Sequence, residues 1–447
     1  MKLRIIDYRA ACAGQPTDGA TKFGAELPAL LQAAGAELEQ HDFEALLRPQ
    51  PSLYRGGTAV VSAAGPYAYL YYYWRKQLGA DNPIVRDVHG GSWSGYLLQE
   101  WLCESLSRPG DAVVYPSEFA QALYARHFPG NAAGWVVAHP MFLDDTPPAT
   151  RRAVPRGPLR IGAIGRLSHD KNVLDLVRAT AALRREVELH LVGGAYDLTW
   201  NDVAREWEAA GGDPTRLVYW GYDLPDPEIA RFFDTVSLIG FFSTSNIEAL
   251  GRVVVEAQRA GLPVCMARHA AADELVPAEH QVDVDFFARP SSCATGVPLG
   301  AVDAKAGARA LDRAVSAMQQ SPINGRRFLA ATFIGELRRS LAGDGAGCYL
   351  SPMADRSSIA LPPPLSHQDA CALIAGKLLP HLRRWSSRAP DPLLDEELLR
   401  SSTDPARSAT FLRNVDCGRV NYADTTGYPF HVAQLLDFRA TVRVRPA

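Results

Sequence analysis

Leu159-Arg-Ile-Gly-Ala-Ile164 is an apolar run that stops at Gly165-Arg166. A helical pattern follows from about Asn172 to Arg184, and then a second apolar run, Glu188-Leu-His-Leu-Val192, closed by Gly193-Gly194. Short apolar runs ending in glycine read as strands, and the stretch between them as a crossover helix. Strand, helix, strand in that order means a parallel pair. The alternation continues through Leu217–Trp220, Val236–Phe241 and Leu262–Met266. It also runs upstream, through Leu3–Ile6, Thr58–Ser62, Pro83–His89, Asp111–Tyr115 and Trp135–Ala138. Between about Met141 and Leu159 the chain is polar and proline-rich, the composition of a linker. The expected fold class is therefore α/β, with two Rossmann-like α/β/α domains: residues 1–150, residues 151–345, and a C-terminal extension, 346–447, expected to pack across both.

Composition narrows the function. The 447 residues carry a formal net charge of -3, so no global positive field favours nucleic acid. The seven cysteines lie scattered without paired short spacing, which indicates neither a zinc site nor a disulfide framework and fits a reducing compartment. The N-terminus runs from charge directly into a strand, without the apolar core of a signal peptide, and no stretch is long enough to span a bilayer. The expected location is the cytoplasm, with contact at the inner face of a membrane left open.

The chemistry concentrates in Ser243-Thr-Ser-Asn-Ile-Glu248-Ala-Leu-Gly251-Arg-Val-Val-Val-Glu256-Ala. A loop leads to Glu248, and a helix begins near Gly251 and carries Glu256 in its first turns. A carboxylate accepts two hydroxyl donors at once, which is how a sugar or a ribose is held. The start of a helix favours a diphosphate, and Gly251 lets backbone approach a ligand closely. Arg166 and Lys171, at the end of the strand that opens the second domain, add two cations. Two carboxylates and two cations suit a ligand that is part sugar and part diphosphate.

Phe242-Ser…Glu248-x-x-Gly251…Glu256-Ala…Gly261-Leu-Pro263-Val264 resembles the paired-glutamate signature of the retaining nucleotide-sugar glycosyltransferases of GT-B architecture, family 4 most of all. Ile164-Gly165-Arg166-Leu167…Lys171-Asn172 is similar to that family's diphosphate-binding segment, and Val88-His89-Gly90 to the segment with its acceptor-side histidine. Val114-Tyr-Pro116-Ser117-Glu118-Phe119 and Ala272-Asp-Glu274-Leu-Val276 match in the same order, so the resemblance covers about residues 80–280. It implies two domains facing a central cleft, acceptor side first, donor side second. It implies a catalytic set of His89, Arg166, Lys171 and Glu248. Arg166 and Lys171 would bind the donor diphosphate, Glu248 the transferred sugar, Glu256 the ribose, and His89 the donor sugar near the reacting carbon. Gly251, Arg252 and Val253 would offer backbone donors to phosphate, Gly221 and Tyr222 would contact the base, and Gly19 would lie beside the phosphates. The chain departs from the family at Asp18-Gly19-Ala20-Thr21, which lacks a glycine pair, and at His269, where a small residue is usual. No metal cofactor is expected. The implied partners are a UDP- or GDP-sugar and a saccharide, lipid-linked or small-molecule acceptor.

Other readings compete with these. Asp283-Val-Asp285 has a metal-binding spacing but also fits one face of a strand. The run Tyr67-Ala-Tyr-Leu-Tyr-Tyr-Tyr-Trp74 could stack on a sugar or meet a membrane, and fits better between a helix and the sheet. His139 receives no role. At the level of function, a nucleotide-sugar epimerase of the same fold and a scaffold that has lost catalysis stay open, whereas Gly162-x-x-Gly165 falls short of a dinucleotide fingerprint.

Overall fold

The computed structural model describes residues 1–6, 19–41, 51–61, 68–90, 100, 103, 106–121, 135–137, 139–144, 157–245, 248–289, 299–317 and 325–342. The chain divides into two compact units: Met1–Asp145 with the segment from Arg326, and Thr146–Gly325.

The first unit is built on a six-stranded parallel sheet: β1 (Lys2–Ile6), β2 (Glu37–His41), β3 (Ala59–Val61), β4 (Ile84–Asp87), β5 (Ala112–Tyr115) and β6 (Trp135–Val137), in the order β2-β1-β3-β4-β5-β6. Helix α1 (Gly19–Ala33) buries Phe23, Leu27 and Leu31, a stripe of four-residue spacing. Helix α2 (Ala68–Gln77) buries Ala68, Tyr71, Tyr72 and Arg75. Two of the aromatic residues named from the sequence therefore pack inward. Arg75 accompanies them because Asp111 receives its guanidinium at 2.6 and 2.9 Å, and the carbonyls of Asn82 and Leu106 take further N–H groups.

The second unit carries β7 (Leu159–Ile164), α3 (Val173–Ala181), β8 (Val187–Val192), α4 (Trp200–Ala209), β9 (Leu217–Gly221), α5 (Asp226–Thr235), β10 (Leu238–Phe241), α6 (Arg252–Arg259), β11 (Val264–Ala267), α7 (Ala272–Leu275) and β12 (Gln281–Val282). A two-stranded ribbon, β13 (Asp285–Arg289) with β14 (Leu299–Ala301), and α8 (Ala304–Ala317) complete it. Its parallel sheet runs β12-β11-β10-β7-β8-β9. From the central β7 the chain moves outward to one side through β8 and β9, then returns to the other side through β10 to β12. The topological switch point thus lies between β7 and β10, where open α/β sheets bind ligands.

Gly19 itself opens α1. Two sequence expectations shift. The second domain was expected to run to residue 345. Instead α9 (Ala330–Leu341) belongs to the first unit, because it buries Ala330, Phe333, Ile334 and Leu337 beside β5, β6 and α1. The chain enters α9 through Phe328, whose carbonyl accepts from Met141 N and Phe142 N at 2.8 and 3.1 Å. Asp283 lies between β12 and β13 rather than in a strand, and pairs with Arg268 at 2.8 Å. The extension 346–447 lies outside the described residues. Among the described residues no helix is long and apolar enough to cross a membrane.

The strand ends of the second unit fit closely. Gly193 donates its N–H to Gly221 O at 2.9 Å, and a Cβ at Gly193 would lie 1.7 Å from Gly165 O. The obstacle is backbone and cannot rotate away. Gly193→Ala is expected to lower the urea midpoint by an amount equivalent to about 1–3 kcal/mol or more, whereas Gly157→Ala, with no atom near its Cβ, leaves it within error.

Candidate functional site

Beyond the carboxyl ends of β7 and β10 lies a recess lined in part by Gly165, Arg166, Lys171, Phe241 and Ser243. Its walls are two loops tied to each other. Thr244 N donates to Asp170 O at 2.9 Å. Asn172, held at φ 49 just before α3, donates from its side chain to Phe242 O at 3.1 Å and to Thr244 Oγ1 at 2.9 Å. His269, buried after β11, donates Nε2–H to Ser245 O at 2.8 Å.

These ties carry the charged side chains. Lys171 Nζ donates to Glu248 Oε2 at 2.5 Å, and Ser243 Oγ donates to the same oxygen at 3.1 Å. Arg166 Nη2 donates to Asp170 Oδ2 at 3.1 Å, and its guanidinium lies 4.5 Å from the centre of the Tyr196 ring. Asp170 is buried and also accepts from Ser168 Oγ. Burial works to raise its pKa, but Arg166 and Lys171, with hydroxyls of Ser168 and Ser245, keep it below the ordinary value. Burial likewise works to raise Glu248, and the charge and hydrogen bond of Lys171 outweigh it, helped by Ser243 and His269.

Gly251 caps α6 at φ 81, in the left-handed region, and a Cβ there would meet the Phe241 ring at 3.1 Å. It fits the chain onto that ring rather than serving only as an opening for a ligand. The Phe241 ring centre in turn lies 5.9 Å from Lys171 Nζ. Arg252 and Val253 form the first turn of α6, where N–H groups point outward and the helix dipole is positive. Arg252 Nε donates to Glu256 Oε1 at 2.7 Å, one turn along. At the end of β9, Gly221 adopts φ 115, and the exposed ring of Tyr222 covers Gly194 so closely that a Cβ there would stand 2.7 Å from it.

The second unit therefore brings Arg166, Lys171 and Glu248 together at the switch point. It sets Gly251, Arg252, Val253 and Glu256 along one helix start, and Gly221 with Tyr222 at the β9 end. Gly19 and His89 belong to the first unit: Gly19 at the amino end of α1, His89 two residues beyond β4. His89 has neighbours that sequence reading missed. Asp87 Oδ2 lies 3.6 Å from its Nδ1, and His139 Nε2 lies 2.6 Å from Asp87 Oδ1. Their only signal in the sequence is that each stands at the carboxyl end of a strand.

Comparisons with known proteins meet this geometry at the same place. Residues 158–306 match the family model of the group 1 glycosyl transferases. The chain is similar in structure to an apo form of the lipopolysaccharide outer core galactosyltransferase WaaB, with TM-score 0.52, 15% identity, and 77% of this chain and 100% of that one covered. It is also similar to HepE of Anabaena in complex with UDP, with TM-score 0.51, 16% identity, and 76% and 100% covered. The fold is that of the GT-B glycosyltransferases. No curated protein matches the sequence significantly. The family match spans the switch point, both walls of the recess and α6, and ends just inside α8.

Glu248 gives a pH prediction. A carboxyl whose folded pKa is depressed adds stability above its unfolded pKa and loses it as pH falls through the folded value. Lys171→Met removes the partner that keeps Glu248 low, so burial then raises it. The variant is expected to lose about 1–3 kcal/mol at neutral pH, below the range for fully buried pairs because the Lys171 side chain is 21% exposed. The gap to wild type should close as denaturation is repeated from about pH 7 down to about pH 3.

Proposed function

We propose that the chain is a retaining glycosyltransferase that moves a sugar from a UDP- or GDP-sugar to an acceptor hydroxyl in the synthesis of a polysaccharide, glycolipid or other glycoconjugate. The observation that carries this reading is the joint presence, at the β7/β10 switch point, of Arg166 and Lys171 with Glu248 and the start of α6. Cations and a helix start suit a diphosphate, and carboxylates suit sugar and ribose hydroxyls. The group 1 family model over the same residues supports it, as do a galactosyltransferase and a UDP complex among the structural relatives.

In this reading Arg166 and Lys171 hold the diphosphate and stabilise the charge that builds on it as the bond to the sugar breaks. Glu248 binds hydroxyls of the transferred sugar. Glu256 holds the ribose, the first turn of α6 meets phosphate, and Gly221 with Tyr222 borders the base. His89 hydrogen-bonds the donor sugar near the reacting carbon, and Gly19 lies beside the phosphates. Transfer is a front-face substitution: the bond from the anomeric carbon to the phosphate oxygen breaks, the bond to the acceptor oxygen forms on the same face, and the acceptor proton passes to the leaving phosphate oxygen. The two cations and the helix start neutralise the diphosphate, so no divalent metal is required.

Two variants test the assignment with a nucleotide-sugar panel. Arg166→Ala is expected to lower kcat about 10²- to 10³-fold with a smaller change in donor Kd, and near-normal turnover would remove Arg166 from the chemistry. Glu256→Ala should weaken donor binding by about tenfold or more, equivalent to roughly 1.4 kcal/mol, read by calorimetry. An unchanged Kd would refute the ribose role. Turnover of the wild type should survive EDTA.

A further inference from the structure

Three side chains at the carboxyl ends of β4 and β6 form a unit of which the proposed function uses only His89. Asp87, the last residue of β4, is 5% exposed, and His139, two residues beyond β6, is 2% exposed. His89 keeps 18% of its side chain exposed and is the member that reaches solvent. The His89 and His139 rings stack, with centroids 4.4 Å apart and planes 13° from parallel, and Phe23 of α1 stacks on His139 at 4.0 Å. The Asp87 carboxylate spans both imidazoles, Oδ1 toward His139 and Oδ2 toward His89.

Two histidines and an aspartate, with one ligand atom from each within 4.8 Å of the others, are also a donor set for a divalent metal. The ring geometry decides between the two. An imidazole lone pair lies in the plane of its ring. Near-parallel rings with centroids 4.4 Å apart must lie face to face, because edge to edge their atoms would collide, and no ion then sits in both planes. Two ligands on one tetrahedral zinc stand roughly 3.3 Å apart, while His139 Nε2 and Asp87 Oδ1 stand 2.6 Å apart, too close to share an ion. The arrangement sets one carboxylate against two stacked imidazoles.

We infer that Asp87 and His139 are positioning residues for His89, and that they fix which of its nitrogens faces the substrate. A lone pair on His89 Nδ1 would face a carboxylate and be repelled, so Nδ1 keeps its proton and Nε2, on the opposite edge of the ring, carries the lone pair. His139, clamped by Asp87 and backed by Phe23, supplies the flat surface that holds the His89 ring. His89 is thereby set to accept a hydrogen bond from a hydroxyl, the group a sugar offers. The substrate part of this inference rests on the glycosyltransferase reading; the tautomer does not.

The test separates the two. Full-length protein labelled with ¹⁵N-histidine is examined by long-range ¹H–¹⁵N correlation, with His89→Ala to identify the His89 signals, and sugar transfer is measured in parallel. Wild type is expected to show His89 in the Nδ1–H form, and Asp87→Asn to shift it toward the Nε2–H form that free imidazole favours, with kcat down about a hundredfold. Donor Kd should rise by only about two- to tenfold, the loss of one hydrogen bond to the sugar. If Asp87→Asn does not fold, His139→Phe, which keeps the stack and removes the nitrogen that faces Asp87, should broaden or shift the same signals. His89 in the Nε2–H form in the wild type, or stoichiometric zinc binding that moves both histidines and is lost in Asp87→Asn, would overturn the inference. The expected tautomer and its loss in Asp87→Asn, without transfer by the wild type, would uphold the positioning and overturn the glycosyltransferase reading.

Discussion

The contact between Lys171 and Glu248 closes a gap of 77 residues along the chain, and the switch point of the second unit is arranged around it. The topology makes it necessary. With β8 and β9 on one side of β7 and β10 on the other, the loops leaving β7 and β10 part from each other and open a crevice. Charges placed in that crevice are largely out of water, and an isolated charge there would be expensive. Each cation accordingly has a carboxylate: Lys171 with Glu248, Arg166 with Asp170, Arg252 with Glu256. The backbone tie from Thr244 to Asp170 and the side-chain ties from Asn172 keep the walls at the spacing these pairs need.

Ion pairing alone does not mark a functional site. Replacing a buried pair by apolar side chains is often neutral or stabilising, so what distinguishes pairs is where their remaining bonding capacity points. In the first unit Arg75 is 1% exposed and meets Asp111 and two backbone carbonyls. Arg86 is equally buried and meets both oxygens of Glu100 and the hydroxyl of Tyr72. Both guanidinium groups are spent inside the protein, and their work is to fasten α2 and β4 to the segments beside them. The Arg166 side chain is 25% exposed, has Asp170 and the Tyr196 ring among its neighbours, and lines the recess. The same chemistry is structural in one unit and suited to an anionic ligand in the other.

Local pattern carried much of this into the sequence. β7, α3 and β8 were legible because their apolar periodicity and the glycines at their ends agree, and the run from Glu248 to Glu256 because its residue types suit one ligand. The polar edge strand β2, whose residues are all at least partly exposed, was invisible for the opposite reason: an edge strand facing solvent has no apolar signal. The place of α9 was not legible either. Its amphipathic stripe predicts a partner but not which sheet, and the chain crosses from residue 325 back to the first unit before forming it. Asp87 and His139 are 52 positions apart and meet only because β4, β5 and β6 are consecutive in one sheet. No linear spacing encodes that meeting.

The two carboxylates of the paired-glutamate run also illustrate how position divides labour between like side chains. Glu248 sits in a loop whose partners arrive from elsewhere: Lys171 from beyond β7, Ser243 from the end of β10, and His269 after β11 through Ser245. Its geometry is a tertiary property, so any change in those three loops alters what it can bind. Glu256 is fixed by its own helix, through Arg252 four residues earlier, and by Gly251, whose left-handed backbone seats the start of that helix against Phe241. A group held by local structure suits the constant part of a ligand, and a group held by three separate loops suits the part that differs from one enzyme to another. Within the proposed function, that argument favours the ribose at Glu256 and the transferred sugar at Glu248, with sugar preference set by the loop that carries His269.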